Sequence, residues 1–309
     1  MTQVKNIIAF LILIFSFYTN SYGMGKQTRF IQIEPNLKLW VETYGNSTDD
    51  AVLFISGAGA NSSFWSERLC NELVEKGFFV IKYDHRDFGY STKIDFGKNP
   101  YDVMQLAKDA VSILDSLAIE KAHVAGHSMG GFIVQLLAIH YPDRIISMVS
   151  ASSSTNAASV PPPPPETWKI FMENNPTNNF KNDLNGFLKV WQYLNGTAQF
   201  EKELAIEYTK NLYERQEISG AIGESHVKAQ ANLTDRTEKL KKVNIPALII
   251  HGEEDYLVDK FGGIQTAECL TNSKLVLIPE MGHVLFNSDI QKRFENEIIV
   301  FLSSKMRQK

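Results

Sequence analysis

Cysteine is scarce, with two in 309 residues. Two thiols exclude a cysteine-rich zinc site and a disulfide framework, and a compact chain of this size buries enough surface to need neither. An excess of charge of one sign is also missing: 31 Lys and Arg stand against 35 Asp and Glu, a net −4. That excludes the basic footprint of a nucleic-acid binder, and no nucleic acid is expected as a partner. Apolar content of 44% is ordinary, which excludes both a disordered chain and a multi-span membrane protein. No internal repeat is visible. What remains is a globular chain with room for one large α/β domain or two small ones.

The apolar residues are unevenly spread. Ile7 to Tyr18 reads IIAFLILIFSFY, broken only by Ser16. Lys5 precedes the run, and Ser21-Tyr22-Gly23 follows it with small residues at the first and third positions. These are the n-region, h-region and cleavage site of a secretory signal. The run also falls short of the roughly twenty residues that span a membrane. Residues 1–23 are therefore expected to be a signal peptide, and residues 24–309 an exported domain, periplasmic or secreted, without stable membrane insertion. An uncleaved N-terminal tether is the alternative. No Cys follows the run to carry a lipid.

The body alternates β-rich runs with helical patterns. Leu37 to Val41, Ala51 to Ile55, Phe78 to Ile81, Ala122 to Gly126, Ile145 to Ala151, Ala247 to Ile250 and Lys274 to Ile278 read as strands. Val103, Leu106, Ala107, Ala110, Val111 and Leu114 form one stripe of a 3.6-residue period. Continuous apolar strands separated by helices predict an α/β fold with a parallel sheet covered on both faces. Between about residues 152 and 243 this rhythm breaks. The stretch holds the run Pro161 to Pro165 and aromatic segments around Trp168, Phe187, Trp191 and Tyr208. It reads as an inserted helical cap, with the prolines as a stiff spacer at its edge.

Gly126-His127-Ser128-Met129-Gly130 fits G-x-S-x-G and lies between a predicted strand and a predicted helix. Such a turn throws the Ser128 hydroxyl clear of the backbone, at a helix N-terminus that favours developing negative charge. A serine needs a base. Of the seven histidines, His283, in Pro279-Glu280-Met281-Gly282-His283, follows the last strand and comes last in the order Ser, acid, His. His85 and His251 also sit at strand ends but lack that order, and His226 falls in the cap. The acid that orients His283 is read as Asp255, after the strand Ala247 to Ile250, with Glu254 the fallback. Asp259 is expected to cap the next helix. Two N–H donors for an oxyanion are assigned to Met129 and to Ala58, in Ser56-Gly57-Ala58-Gly59.

Together these motifs resemble the α/β-hydrolase superfamily, from about Phe30 to about Phe301. The segment Asp84-His85-Arg86-Asp87-Phe88-Gly89-Tyr90-Ser91 follows that superfamily's D-x-R-G-x-G-x-S pattern, with Asp87 in place of the first Gly. That variant is similar to the aclacinomycin methylesterase-like branch. The loop reads as structural, with Asp84 and Arg86 tying it to neighbouring backbone. The resemblance implies a mostly parallel eight-stranded sheet with helices on both faces and an inserted cap. It also implies that Cys70 and Cys269 lie on opposite faces of the sheet as free thiols. Ser56-Gly57 stands where the family usually has His-Gly, so the oxyanion loop is expected to be braced in another way. Ser128 at the nucleophile position argues against dehalogenase and epoxide-hydrolase chemistry.

The expected activity is cofactor-free and metal-free hydrolysis of a small-molecule carboxylic ester, through Ser128, His283 and Asp255 and an acyl-enzyme. Carbon–carbon bond hydrolysis on the same triad is the nearest alternative. A non-catalytic binding protein on the same fold, or a membrane-anchored interaction protein, comes further off.

Overall fold

The computed structural model describes residues 25–215 and 223–306. The signal expected over residues 1–23 lies outside the described residues. Among the described residues eight strands form one sheet: β1 (Gln27–Glu34), β2 (Leu37–Tyr44), β3 (Asp50–Ile55), β4 (Phe78–Tyr83), β5 (Ala122–His127), β6 (Ile145–Ala151), β7 (Ala247–Gly252) and β8 (Ser273–Ile278). Their order in space is β1-β2-β4-β3-β5-β6-β7-β8. The β1–β2 and β2–β4 pairs are antiparallel and the others parallel, which is the expected mostly parallel sheet. The strand β1 had no apolar run to announce it: of its eight residues only Ile31 is buried.

The central strands are buried along nearly their whole length, because helices cover both faces. One face packs helices α1 (Glu67–Glu75) and α10 (Ser288–Ser303) through Leu69, Leu73, Phe294 and Ile298, against Val52 and Phe54 of β3. The other packs α2 (Val103–Ser116) and α3 (Met129–His140) through Leu106, Ala110, Ile133 and Leu137, against Leu53 and Ile55. Alternate residues of β3 thus point to opposite cores. Cys70 lies in the first cluster and Cys269 in the second, and both are free thiols.

Between β6 and β7 the chain leaves the sheet and forms α4 (Pro165–Glu173), α5 (Phe180–Leu194), α6 (Lys202–Arg215), α7 (Glu224–Ala229) and α8 (Thr237–Leu240). The inserted helical cap has its own apolar cluster, in which Phe187, Trp191, Leu194 and Leu212 meet Phe88, Val284 and Phe286 from loops at the sheet's edge. Trp191 satisfies its indole N–H on Thr209 Oγ1 at 2.9 Å. A buried charge pair fastens the cap to the sheet. Arg215, at the end of α6, donates to Glu42 of β2 at 2.9 Å and meets Asp84 at 3.3 Å. Where the chain returns, buried Arg236 donates to Gln135 Oε1 at 3.0 Å and to Ser154 O at 2.9 Å. The last helix before β8, α9 (Lys260–Cys269), is capped by Asp259, which accepts from Phe261 N–H.

Candidate active site

Ser128 is the single residue between β5 and α3. It sits at φ 55° and ψ −118°, a strained conformation for a residue with a Cβ. Three backbone bonds hold it there: Ser128 N–H donates to Ala151 O at 2.9 Å, and Gly131 N–H and Phe132 N–H donate to Ser128 O at 2.8 and 3.3 Å. The glycine spacing is a packing requirement. A Cβ on Gly126 would overlap the Gly130 carbonyl, and one on Gly130 would overlap Ile55 O. The Ser128 side chain makes no cap bond to its own helix and opens onto a cavity.

His283 lines the same cavity. Its Nδ1 lies 2.8 Å from Asp255 Oδ2. The other carboxylate oxygen, Oδ1, accepts from Leu257 N–H and Val258 N–H, each at 2.9 Å. Burial alone would raise the Asp255 carboxyl, but the charge of His283 and hydrogen bonds from His251 and His283 hold it well below the ordinary carboxylate range. An ionised carboxylate can only accept, so His283 Nδ1 is the donor in this contact. No hydrogen bond joins Ser128 Oγ to His283 among the described residues; such bonds are often loose until substrate is bound. The fallback acid, Glu254, is engaged elsewhere, accepting from Tyr256 OH at 3.1 Å.

Two further histidines support this arrangement, and sequence order passed over both. His251 Nε2 donates to Val258 O at 2.8 Å and lies 3.4 Å from Asp255 Oδ2, so it braces the Asp255 loop from behind. His127 Nε2 donates to the His283 carbonyl at 2.9 Å, and its ring stacks on Phe64 with centroids 4.3 Å apart. Burial and the charge of His283 push His127 down to about 3, so it works as a neutral donor. The cap holds the His283 loop as well: His283 N–H donates to Leu194 O, at the end of α5, at 2.7 Å. That bond satisfies a helix-terminal carbonyl that would otherwise lack a partner.

Ala58 lines the cavity and Met129 is the first residue of α3; among the described residues neither backbone N–H has an acceptor. The loop carrying Ala58 lies against the elbow, since a Cβ on Gly57 would stand 3.1 Å from Ser128 Cβ. Ser56, in place of the usual His, braces it by another route. Ser56 Oγ donates to Asn61 O at 3.0 Å, and Ser56 O accepts from His85 Nε2 at 2.9 Å. Asp84 ties its loop to backbone as expected, accepting from Ser62 N–H at 2.7 Å and Tyr90 N–H at 2.9 Å. Arg86 does not. Its guanidinium is buried and pairs with the carboxylates of Asp109 at 2.5 Å and Glu34 at 2.7 Å, because a buried cation needs a charged partner more than a carbonyl.

The cavity holds about 1370 Å³. Its cap side is mostly apolar, with Trp168, Phe171, Met172, Trp191 and Tyr208, and Phe286 faces them from the loop that carries His283. Pro161, Pro162 and Pro163 also line it, so the proline run forms a wall as well as a spacer. Among the described residues no group of three or more His, Cys, Asp or Glu side chains is placed to hold a metal ion, and no helix is long and apolar enough to cross a membrane.

A family model described as alpha/beta hydrolase fold matches residues 50–289. A rhodomycin D methylesterase from Streptomyces peucetius is 41% identical over 110 residues, which is 36% of this chain and 37% of that protein. The chain therefore spans well under half the length of that relative. A bifunctional esterase/perhydrolase from Acinetobacter calcoaceticus is 24% identical over 284 residues, covering 89% of this chain and 99% of the relative. The enol-lactonase from Burkholderia xenovorans LB400 has a similar fold, with a TM-score of 0.71 at 19% identity over 89% of this chain and all of that one.

Proposed function

This chain belongs to the alpha/beta hydrolase fold family, and from that premise we propose that it hydrolyses a carboxylic ester of a bulky, largely apolar small molecule. One observation carries the reading: the 2.8 Å contact of His283 Nδ1 with ionised Asp255, on the wall of the cavity onto which strained Ser128 opens. Ser128 Oγ attacks the ester carbonyl carbon while His283 Nε2 takes its proton. The N–H groups of Ala58 and Met129 receive the developing oxyanion. The tetrahedral adduct collapses, the C–O bond to the alcohol breaks, and His283 returns its proton to the departing oxygen. Water then attacks the acyl-enzyme as His283 takes a proton from it, the acyl C–Oγ bond breaks, and His283 returns the proton to Ser128 Oγ as the carboxylic acid leaves. Asp255 holds the imidazole in the required tautomer and stabilises its protonated form.

The size and lining of the cavity support the substrate class. Its volume exceeds the ~300–1,000 Å³ usual for drug-sized ligands, and its cap side is mostly aromatic and aliphatic. The run Ile7 to Tyr18 supports export as the second half of the reading. Fluorophosphonate labelling of purified protein, with nitrophenyl esters and a vinylogous diketone as rival substrates, tests the chemistry. Labelling at Ser128 and preference for esters are expected. Faster diketone turnover would move the reaction to carbon–carbon cleavage, and no labelling would remove the serine mechanism. An intact mass of the exported protein that retains Met1 would overturn cleavage of the signal.

A further inference from the structure

We infer that His226, on cap helix α7, is a positioning residue for the Ser56–Gly59 loop, so that the oxyanion site is complete only while the cap is seated. The inference rests on the proposed role of the Ala58 N–H. His226 is fully buried, although it belongs to a short helix whose neighbours Glu224, Val227 and Lys228 are exposed. Its Nε2 lies 3.1 Å from Arg86 O, after β4, and its Nδ1 lies 3.4 Å from Gly59 N, after β3. A carbonyl can only accept, so Nε2 carries the proton and Nδ1 is free to accept from the Gly59 N–H. One neutral ring therefore bridges two sheet-edge loops from the cap.

A second contact presses on the same point. Gly223, just before α7, has φ 62°, and a Cβ there would stand 2.5 Å from Gly59 N and 2.6 Å from Gly59 Cα. The sheet holds the other end of the loop, through His85 Nε2 on Ser56 O. The two histidine rings meet edge to face at 5.4 Å, so core brace and cap brace are in contact. The Phe88 and Tyr101 rings close the pocket around His226 at 5.5 and 6.5 Å. Ala58 lies between the two braces. Neither side alone fixes the direction of its N–H. Near a transition state, a displacement of a few tenths of an ångström weakens such a donor without altering how the ground-state ester is held.

The test compares His226→Phe, which keeps the ring and loses both hydrogen bonds, with His226→Asn, whose amide oxygen stands near the Nδ1 position. Steady-state kinetics on a nitrophenyl ester are read beside the affinities of a boronic acid and of an unreactive amide analogue. The boronic acid places an oxyanion in the site when it adds to Ser128. Expected for His226→Phe is a fall in kcat of about ten- to a hundredfold, with KM within about threefold. Boronate affinity falls by the same factor, amide affinity is unchanged, and His226→Asn recovers most of the loss. Gly223→Ala disturbs the same contact from the backbone and carries the test if His226→Phe fails to fold. A kcat within about twofold of the parent protein in the folded variants overturns the inference, as does an equal loss of boronate and amide binding. Ser128→Ala is run alongside: if it keeps ester turnover, the underlying reading of the site falls as well, whatever His226 does.

Discussion

On the sheet side of the cavity, Gly57, Gly126 and Gly130 sit where a Cβ would press on Ser128 or overlap the backbone. On the cap side, Trp168, Met172 and Val227 line the same cavity while remaining 51%, 68% and 56% exposed. The sheet side is positioned by hydrogen-bonded main chain at strand ends, and its side chains have no slack. The cap side is a layer of apolar side chains over a small core, with room to change. The difference teaches a division of labour: changes on the sheet side, or in cap residues such as His226 that brace its loops, should alter the rate of chemistry, and changes in the apolar cap side chains that line the cavity should alter which molecules enter.

Four substitutions press on that division, taken from the largest effect to the smallest. Ser128→Ala should lower kcat/KM for a nitrophenyl ester by on the order of 10⁴-fold or more, with the unfolding midpoint preserved. A wild-type rate would end the argument for the sheet side. Asp255→Asn should cost about 10³- to 10⁴-fold in kcat, because the amide turns His283 to the wrong tautomer. KM should stay close to the parent value. A loss confined to KM would place Asp255 among the substrate contacts.

The third concerns the seam between the two sides. Burial by itself would raise the Glu42 carboxyl, but Lys82, Arg215 and Lys26 overcome this and hold it at about 2, against an ordinary 4.5. A depressed folded value means the stabilisation is present above the unfolded pKa and is lost as pH falls from about 4.5 towards 2. The difference is on the order of 3 kcal/mol. Urea unfolding at about pH 6 and about pH 3 should show the wild type losing more stability than Glu42→Gln. Equal losses would mean that Lys82, Arg215 and Lys26 do not hold Glu42 ionised in the folded chain. The smallest effect belongs to Trp168→Ala. Its ring is half-exposed, so stability should change by only about 0.5 kcal/mol, while KM for a bulky apolar ester rises a few-fold and kcat holds. A large drop in kcat with KM unchanged would erase the distinction between the two sides.

Legibility in the sequence followed the range of the interactions. The strands β3 to β8 were readable because each is a short apolar run between polar loops. The strand β1 was not, because it is an edge strand with one buried residue of eight. Position after a strand brought both Asp255 and Glu254 into view as the acid, but the contact of Asp255 with His283, 28 residues further on, appears only when the loops are folded together. His251 and His127 were passed over because chain order identifies the base and says nothing about what supports it. Asn46, Asn61, Asn195 and Asn232 each begin an N-x-S/T sequon; only the folded chain shows that Asn61 and Asn195 are buried with their side chains hydrogen-bonded.

By itself the sequence determined the alternation of strand and helix, the strained turn at Ser128 and the order of the groups that follow it. Each of these rests on sterics between residues a few positions apart: a missing Cβ at Gly126 and Gly130, a strand that ends where a helix begins. The tertiary structure decided the rest. His127 meets the His283 carbonyl across 156 residues of chain, and His226 meets Gly59 across 167. The cavity, the seam at Arg215 and the supports of the base exist only where loops from distant strands and the cap are packed together. The side chains that make those contacts have no local pattern, because packing selects them for the neighbour that folding brings up.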